Sequence, residues 1–142
     1  VLVVAALTAI ANGGQSNGCR AVGELLRFND SQMELMRSRT HIPSAGSYDE
    51  PSAPTAGDYK AWADGMKRHA AEVTEPGLTT HAQRAAELAK QSVLAIEQFR
   101  SESDTRDLLD MSLPPSAESY AQITAELDEQ MQALEEACPQ RS

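Results

Sequence analysis

Four side chains of this 142-residue chain have ligand chemistry in places where they could act together. His69 and His81 supply imidazole nitrogens, Met66 a thioether and Tyr59 a phenol, the groups that hold haem iron and other transition metals. His69 lies on the flank of one amphipathic stretch and His81 in the first turn of the next. The turn between the two stretches is short, so the two rings can approach each other near the joined ends. The spacing is nonetheless not that of a known ligand set. His69-Ala-Ala-Glu72 reverses the Glu-x-x-His order by which helical bundles hold paired irons. The chain has no H-E-x-x-H and no C-x-x-C. His81 sits where a helix dipole disfavours added positive charge. Tyr59 and Met66 fall on an apolar stripe where packing alone accounts for them. The expectation is no resident cofactor and no metal. Tyr59, Met66, His69 and His81 are then the place where a haem, metal or lipid ligand would bind if there is one.

Cys19 and Cys138 are the only cysteines. One opens the first amphipathic stretch and the other closes the last. In a bundle whose helices run up-down-up-down, the first helix starts and the last ends at the same end. The two thiols then meet without any special path of the chain. A disulfide between them would clamp the bundle and place the protein in an oxidising compartment. Ser16-Asn17-Gly18-Cys19 has some likeness to a lipoprotein processing site, although Ser16 stands where such sites carry an aliphatic residue. Lipidation would use the sulfur of Cys19 and exclude the bridge.

The third group is acidic. Glu118, Glu126, Asp128, Glu129, Glu135 and Glu136 occupy the last helical stretch, which has no Lys or Arg from Ser116 to Pro139. They spread along the face opposite the apolar stripe and do not flank one point, as a pair of catalytic carboxylates must. A solvated face is the plain account. Docking of a basic partner on Glu118, Asp128, Glu129, Glu135 and Glu136 is the sharper one. Neither a phosphate-cradling G-x-x-x-x-G-K-[ST] loop nor a G-x-S-x-G nucleophile turn is present. No enzymatic activity is expected. The net charge of −9 argues against nucleic acid or an anionic membrane surface as the main partner, since both select basic patches.

Helices must position these groups. Apolar residues recur at spacings of three and four in four stretches, the mark of a one-sided helix. The first runs from Cys19 to about Arg39 with Val22, Leu25, Leu26, Met33 and Met36, and Asn29 among them. The second runs from about Asp58 to Glu75 with Tyr59, Trp62, Ala63, Met66, Ala70 and Val73, and Pro76-Gly77 ends it. The third begins at Thr79 or Thr80, where Thr80-His-Ala-Gln83 reads as a capping box, and carries Ala82, Ala85, Ala86, Ala89, Val93, Ile96 and Phe99. The fourth starts after Pro114-Pro115 with Ser116 as its cap and carries Tyr120, Ile123, Leu127, Met131 and Leu134. Residues 40–57 are a long Pro/Gly/Ser loop. Leu108, Leu109, Met111 and Leu113 are read as a short helix covering the end of the bundle, with an exposed contact patch as the alternative. The fold class is all-α, an up-down-up-down four-helix bundle over 19–139.

Residues 1–11 (VLVVAALTAIA) carry no charge. They are too few to span a bilayer as a helix. They read as the back half of a signal peptide or membrane anchor, and Ala9-Ile10-Ala11 fits a cleavage site. A retained anchor is preferred, followed by a flexible 12–18 linker, with 140–142 as a tail. The Ala/Arg-rich, lysine-poor composition, the leader and the cysteine-clamped bundle together resemble small exported proteins of actinobacteria. The chain lacks the His-Pro-Glu sequence of the exported haem-binding helical proteins of mycobacteria. The functional expectation is an extracytoplasmic, membrane-tethered bacterial protein acting through protein contacts. Its partner would be a protein in a membrane or envelope complex, which it serves as an accessory subunit. A secreted binder of haem, metal or lipid is the alternative.

Overall fold

A computed structural model describes residues 17–139. The apolar 1–11 segment, most of the 12–18 linker and the 140–142 tail lie outside the described residues. The described residues form four helices packed against each other, α1 (Asn17–Arg39), α2 (Ala56–Ala71), α3 (Pro76–Thr105) and α4 (Pro115–Ala137). No strand occurs among them, and one isolated antiparallel bridge pairs His41 with Ser52. The expected stripes meet in one core. Val22, Leu25 and Leu26 of α1, Trp62 and Met66 of α2, Leu88 of α3 and Leu127 and Leu134 of α4 are all buried there. α1 begins at Asn17, so the last two residues of the expected linker belong to its first turn.

The helix junctions differ from the sequence reading in instructive ways. α2 starts earlier than Asp58, because Thr55 caps it. The Thr55 hydroxyl accepts from the Asp58 amide at 3.1 Å, and the Asp58 carboxylate accepts from the Thr55 amide at 2.8 Å. The Arg39 guanidinium also pairs with Asp58, joining the end of α1 to the start of α2. The expected capping box at Thr80 does not form, since α3 already begins at Pro76. Proline needs no amide partner in a first turn and its φ is preset for the helix. Thr79 instead donates its hydroxyl to the carbonyls of Val73 and Glu75, which ties the α2–α3 turn to the core through buried Val73. The 40–55 loop is closed at its neck. His41 and Ser52 exchange backbone bonds of 2.9 and 3.0 Å, and Ser47 N donates to Ser44 O across a turn with Gly46 at φ +83°. That φ is the third position of a type II turn, where a side chain is strained.

Ser116 is not the cap of α4. Pro114 takes that place and Pro115 opens the helix. Ser116 is buried, and its hydroxyl donates to the Glu102 carboxylate of α3 at 2.6 Å. That bond is the first cause holding the Glu102 carboxyl below its usual pKa. A depressed carboxylate contributes stability above its unfolded pKa and loses it as pH falls through the folded one. Ser116→Ala is expected to return the Glu102 titration, followed by side-chain carbonyl NMR, toward an ordinary glutamate. It should also flatten the acid limb of the stability profile. An unchanged Glu102 midpoint would contradict this.

Gly65 lies inside α2 and is buried. A Cβ built there would overlap the ring of Phe28 on α1, so the missing side chain sets how closely the two helices approach. Phe28 in turn rests on His69, with ring centroids 4.7 Å apart. Alanine would gain about 1 kcal/mol of helix propensity. Overpacking of this kind costs about 1–3 kcal/mol, so Gly65→Ala is expected to lower the melting temperature. In a Phe28→Ala background the same change should become neutral or stabilising. Equal effects in both backgrounds would contradict the contact.

Candidate functional site

The disulfide is present: Cys19 and Cys138 are bridged, with a Cα–Cα distance of 5.3 Å. It closes one end of the seam between α1 and α4 and occupies the sulfur that lipidation of Cys19 would need. Further along the seam the two helices enclose an open groove of about 760 Å³. Its α1 wall carries Asn29, Asp30, Met33 and Met36, and its α4 wall runs from Tyr120 through Leu127 and Met131 to Glu135. Tyr59 and Trp62 of α2 and Ile96 of α3 line it from within the bundle.

The floor of the groove is apolar and held in place. Met36, Trp62 and Leu127 are buried, while Met33, Tyr59, Ile96 and Met131 are half-buried. The Trp62 indole donates to the Asn29 side-chain oxygen at 3.0 Å. That bond satisfies the one polar residue on the α1 stripe and fixes the indole plane. Arg100 lies over the Tyr59 ring, 5.5 Å from its centroid, and donates to the carbonyl of buried Pro54 at 2.7 Å. The pair braces the groove against the 40–55 loop. Tyr120 has its hydroxyl pKa raised, first by burial and then by the neighbouring Tyr59 and Asp128 charges. It therefore stays a neutral phenol, amphipathic and able to contact apolar or polar surface.

Acidic groups stand at the rim. Of the five carboxylates proposed for docking, Asp128 and Glu135 line the groove, joined by Asp30 of α1. Glu136 accepts from Gln132 at 3.2 Å just beyond it. Glu129 is exposed on α4. Glu118 lies at the far end of α4, beside Leu113 and Ala121. Glu126 is neutralised by Arg84 of α3 at 2.7 Å.

The four expected ligand residues do not come together in this groove. Tyr59 lines it. Met66 is fully buried in the core. His69 is half-buried against Phe28, and the His81 ring is 2.7 Å from the Gln130 side-chain oxygen of α4. Among the described residues no three His, Cys, Asp or Glu are grouped to hold a metal ion. Nor is any described helix long and apolar enough to cross a membrane.

A second surface feature lies in the α3–α4 connection. Leu108, Leu109, Met111 and Leu113 do not cover the end of the bundle; they are between 83% and 98% exposed. Two aspartates turn the backbone here. Asp107 accepts from Leu109 N at 3.1 Å and Asp110 from Ser112 N at 3.0 Å. Such side-chain-to-backbone bonds compete with helix formation. Arg106 fastens the turn through Asp110 and Ser112, and the Ser112 bonds, ahead of Arg106, bring the Asp110 pKa down to about 2. The polar groups thus face one another, and the leucines between them face out.

The groove can desolvate an apolar face and meet positive charge at its edge. Met33, Trp62 and Met131 were legible in the sequence only as core residues. The available clue was that bulky, adaptable side chains, Met33, Met36 and Trp62, gather at the ends of their helices remote from the cysteines, whereas Met131 carries no such mark. Comparison with protein-family models, with curated proteins and with solved structures gave no match to this chain.

Proposed function

We propose that this protein works outside the cytoplasm by holding a protein partner, as an accessory subunit of a membrane or envelope assembly to which residues 1–11 tether it. The observation that carries the reading is the exposed Leu108, Leu109, Met111 and Leu113. Covering such side chains stabilises a complex by roughly 1.5–3 kcal/mol each, and an apolar patch of this kind marks an interaction surface. The disulfide supports an oxidising compartment. An up-down-up-down order belongs to the same reading. It is supported by the bridge from the start of α1 to the end of α4 and by the Arg39–Asp58, Thr79–Val73 and Ser116–Glu102 bonds at successive junctions.

The test is site-specific photo-crosslinking of the full chain in its native host, with the photoreactive residue at Leu109 or Met111. One dominant protein adduct is expected, absent from the exposed control position Glu97. Leu109→Ser with Met111→Ser should abolish co-purification in mild detergent without changing the melting curve. A protein that remains a lone monomer, with no adduct at either position, would overturn the proposal. The second reading, a secreted ligand binder, draws support from the groove, whose 760 Å³ lies within the size range of small-molecule sites. Extractable lipid or a Soret band in protein from the native source would favour it.

A further inference from the structure

We propose that the groove between α1 and α4 receives one basic amphipathic helix of a protein partner, with its apolar face on the methionines and Trp62 and its Lys or Arg residues on the rim carboxylates. This rests on the contact reading above and assigns the partner's chemistry. Length comes first. The α4 wall from Tyr120 to Glu135 extends about 22 Å at the rise of an α-helix. That matches about four turns of a docked helix, whose anchors recur at i, i+3, i+4 and i+7. A compact ligand would leave much of that wall wet.

The lining chemistry comes second. Met33 and Met131, both half-buried, present flexible, polarizable thioethers that adapt to leucine or aromatic anchors, with buried Met36 beneath them. Half-buried Tyr59 adds an aromatic face of the kind that dominates binding hot spots, and buried Trp62 forms the floor beside it.

Charge decides the sign of the partner. Asp30, Asp128 and Glu135 stand at the rim with no ion pair among the described residues. The one rim cation among the described residues, Arg37, is paired with Glu34 at 2.5 Å. No Lys or Arg occurs on α4. Such an edge favours a cationic helix and speeds its encounter. It repels a fatty-acid carboxylate, an anionic lipid headgroup or nucleic acid.

The chain carries its own reporter, since its single tryptophan lines the groove. The probe is an 18-residue peptide with Leu at i, i+3, i+4 and i+7 positions and Lys elsewhere, added to the full, disulfide-bonded protein. A Glu-for-Lys version is the control. The expected result is a saturable Trp62 emission change with one peptide per chain, and no response to the Glu peptide. Asp128→Lys with Glu135→Lys should weaken binding at least tenfold. Glu50→Lys with Glu97→Lys changes the net charge equally, away from the groove, and should leave the affinity within about twofold.

Equal loss in both charge pairs would mean attraction to net charge alone and would overturn the proposal. A Trp62 response to oleate with none to the Lys peptide would also overturn it, in favour of lipid binding. The two ideas fail separately. Adducts at Leu109 with no peptide binding would leave the contact reading standing and remove the groove from it. Peptide binding without any native adduct would do the reverse.

Discussion

A chain carrying Cys19→Ser and Cys138→Ser is expected to melt about 10–15 °C below the bridged protein. The bridge spans 119 residues. The chain-entropy model gives about 4.9 kcal/mol for a loop of that size, and natural bridges commonly deliver 2–4 kcal/mol. For a domain of this size each kcal/mol moves the midpoint by about 3–5 °C. The effect should be unevenly distributed. α1 packs chiefly on α2, and beyond the bridge the groove separates it from much of α4. Without the bridge α1 is therefore the first element to open. Amide exchange at Val22 and Leu25 should accelerate more than at Leu88 or Leu127, because the latter sit between helices that remain packed. Either single serine variant should lose as much as the double one, since a lone thiol closes no loop. A shift below about 3 °C would mean that packing alone holds the chain ends. Groove affinity offers a second readout. The bridge fixes one end of the α1–α4 seam, so its removal should also weaken the Lys-peptide response of Trp62.

The bridge was legible in the sequence because it depends only on chain order and helix phase, with one cysteine at each end of the foldable region. The helix faces were legible for the same reason: Val22, Leu25, Met66 and Leu134 repeat at the period of a helix and are buried. Junctions were harder. At Pro76 two rules competed, the proline that ends a helix and the proline that opens one, and the preset φ of a first turn won. At Thr55-Ala-Gly-Asp58 the capping signal was present but sits inside a Pro/Gly-rich stretch that reads as loop. The groove left no periodic mark at all. A stripe shows which residues face inward, and not whether the opposite helix comes close enough to cover them. The segment around Leu109 misleads by composition. Its leucines suggest a covering helix, while Asp107 and Asp110 turn the backbone and leave them outside.

Leu88→Ala is expected to be the most damaging single core truncation on α3, at about 3–5 kcal/mol. The periodic stripe drawn through Ala82, Ala85, Ala89 and Val93 omits Leu88, yet Leu88 is fully buried. The reason is the placement of α3. It packs against both α2 and α4, and also meets α1, so a second flank is covered and Leu88, Ser92 and Ala95 go under with it. Ser92 accommodates this by donating its hydroxyl to the Leu88 carbonyl at 2.8 Å, which leaves no unpaired polar atom. Most of the buried side chains on α3 are alanines, so Leu88 is the largest fully buried group the helix contributes. Alanine neighbours have little volume with which to collapse into the space it would vacate. The cost of a Leu→Ala change rises with the cavity that remains, from about 2.7 to 5 kcal/mol in well-packed cores. Leu94, on the same helix but 54% exposed, is the internal control, and its truncation should cost well under 1 kcal/mol. Urea titration of both variants decides the matter. Equal, small shifts of the two midpoints would mean that α3 is covered on one flank only, and that the core rests on the α1 and α4 leucines instead.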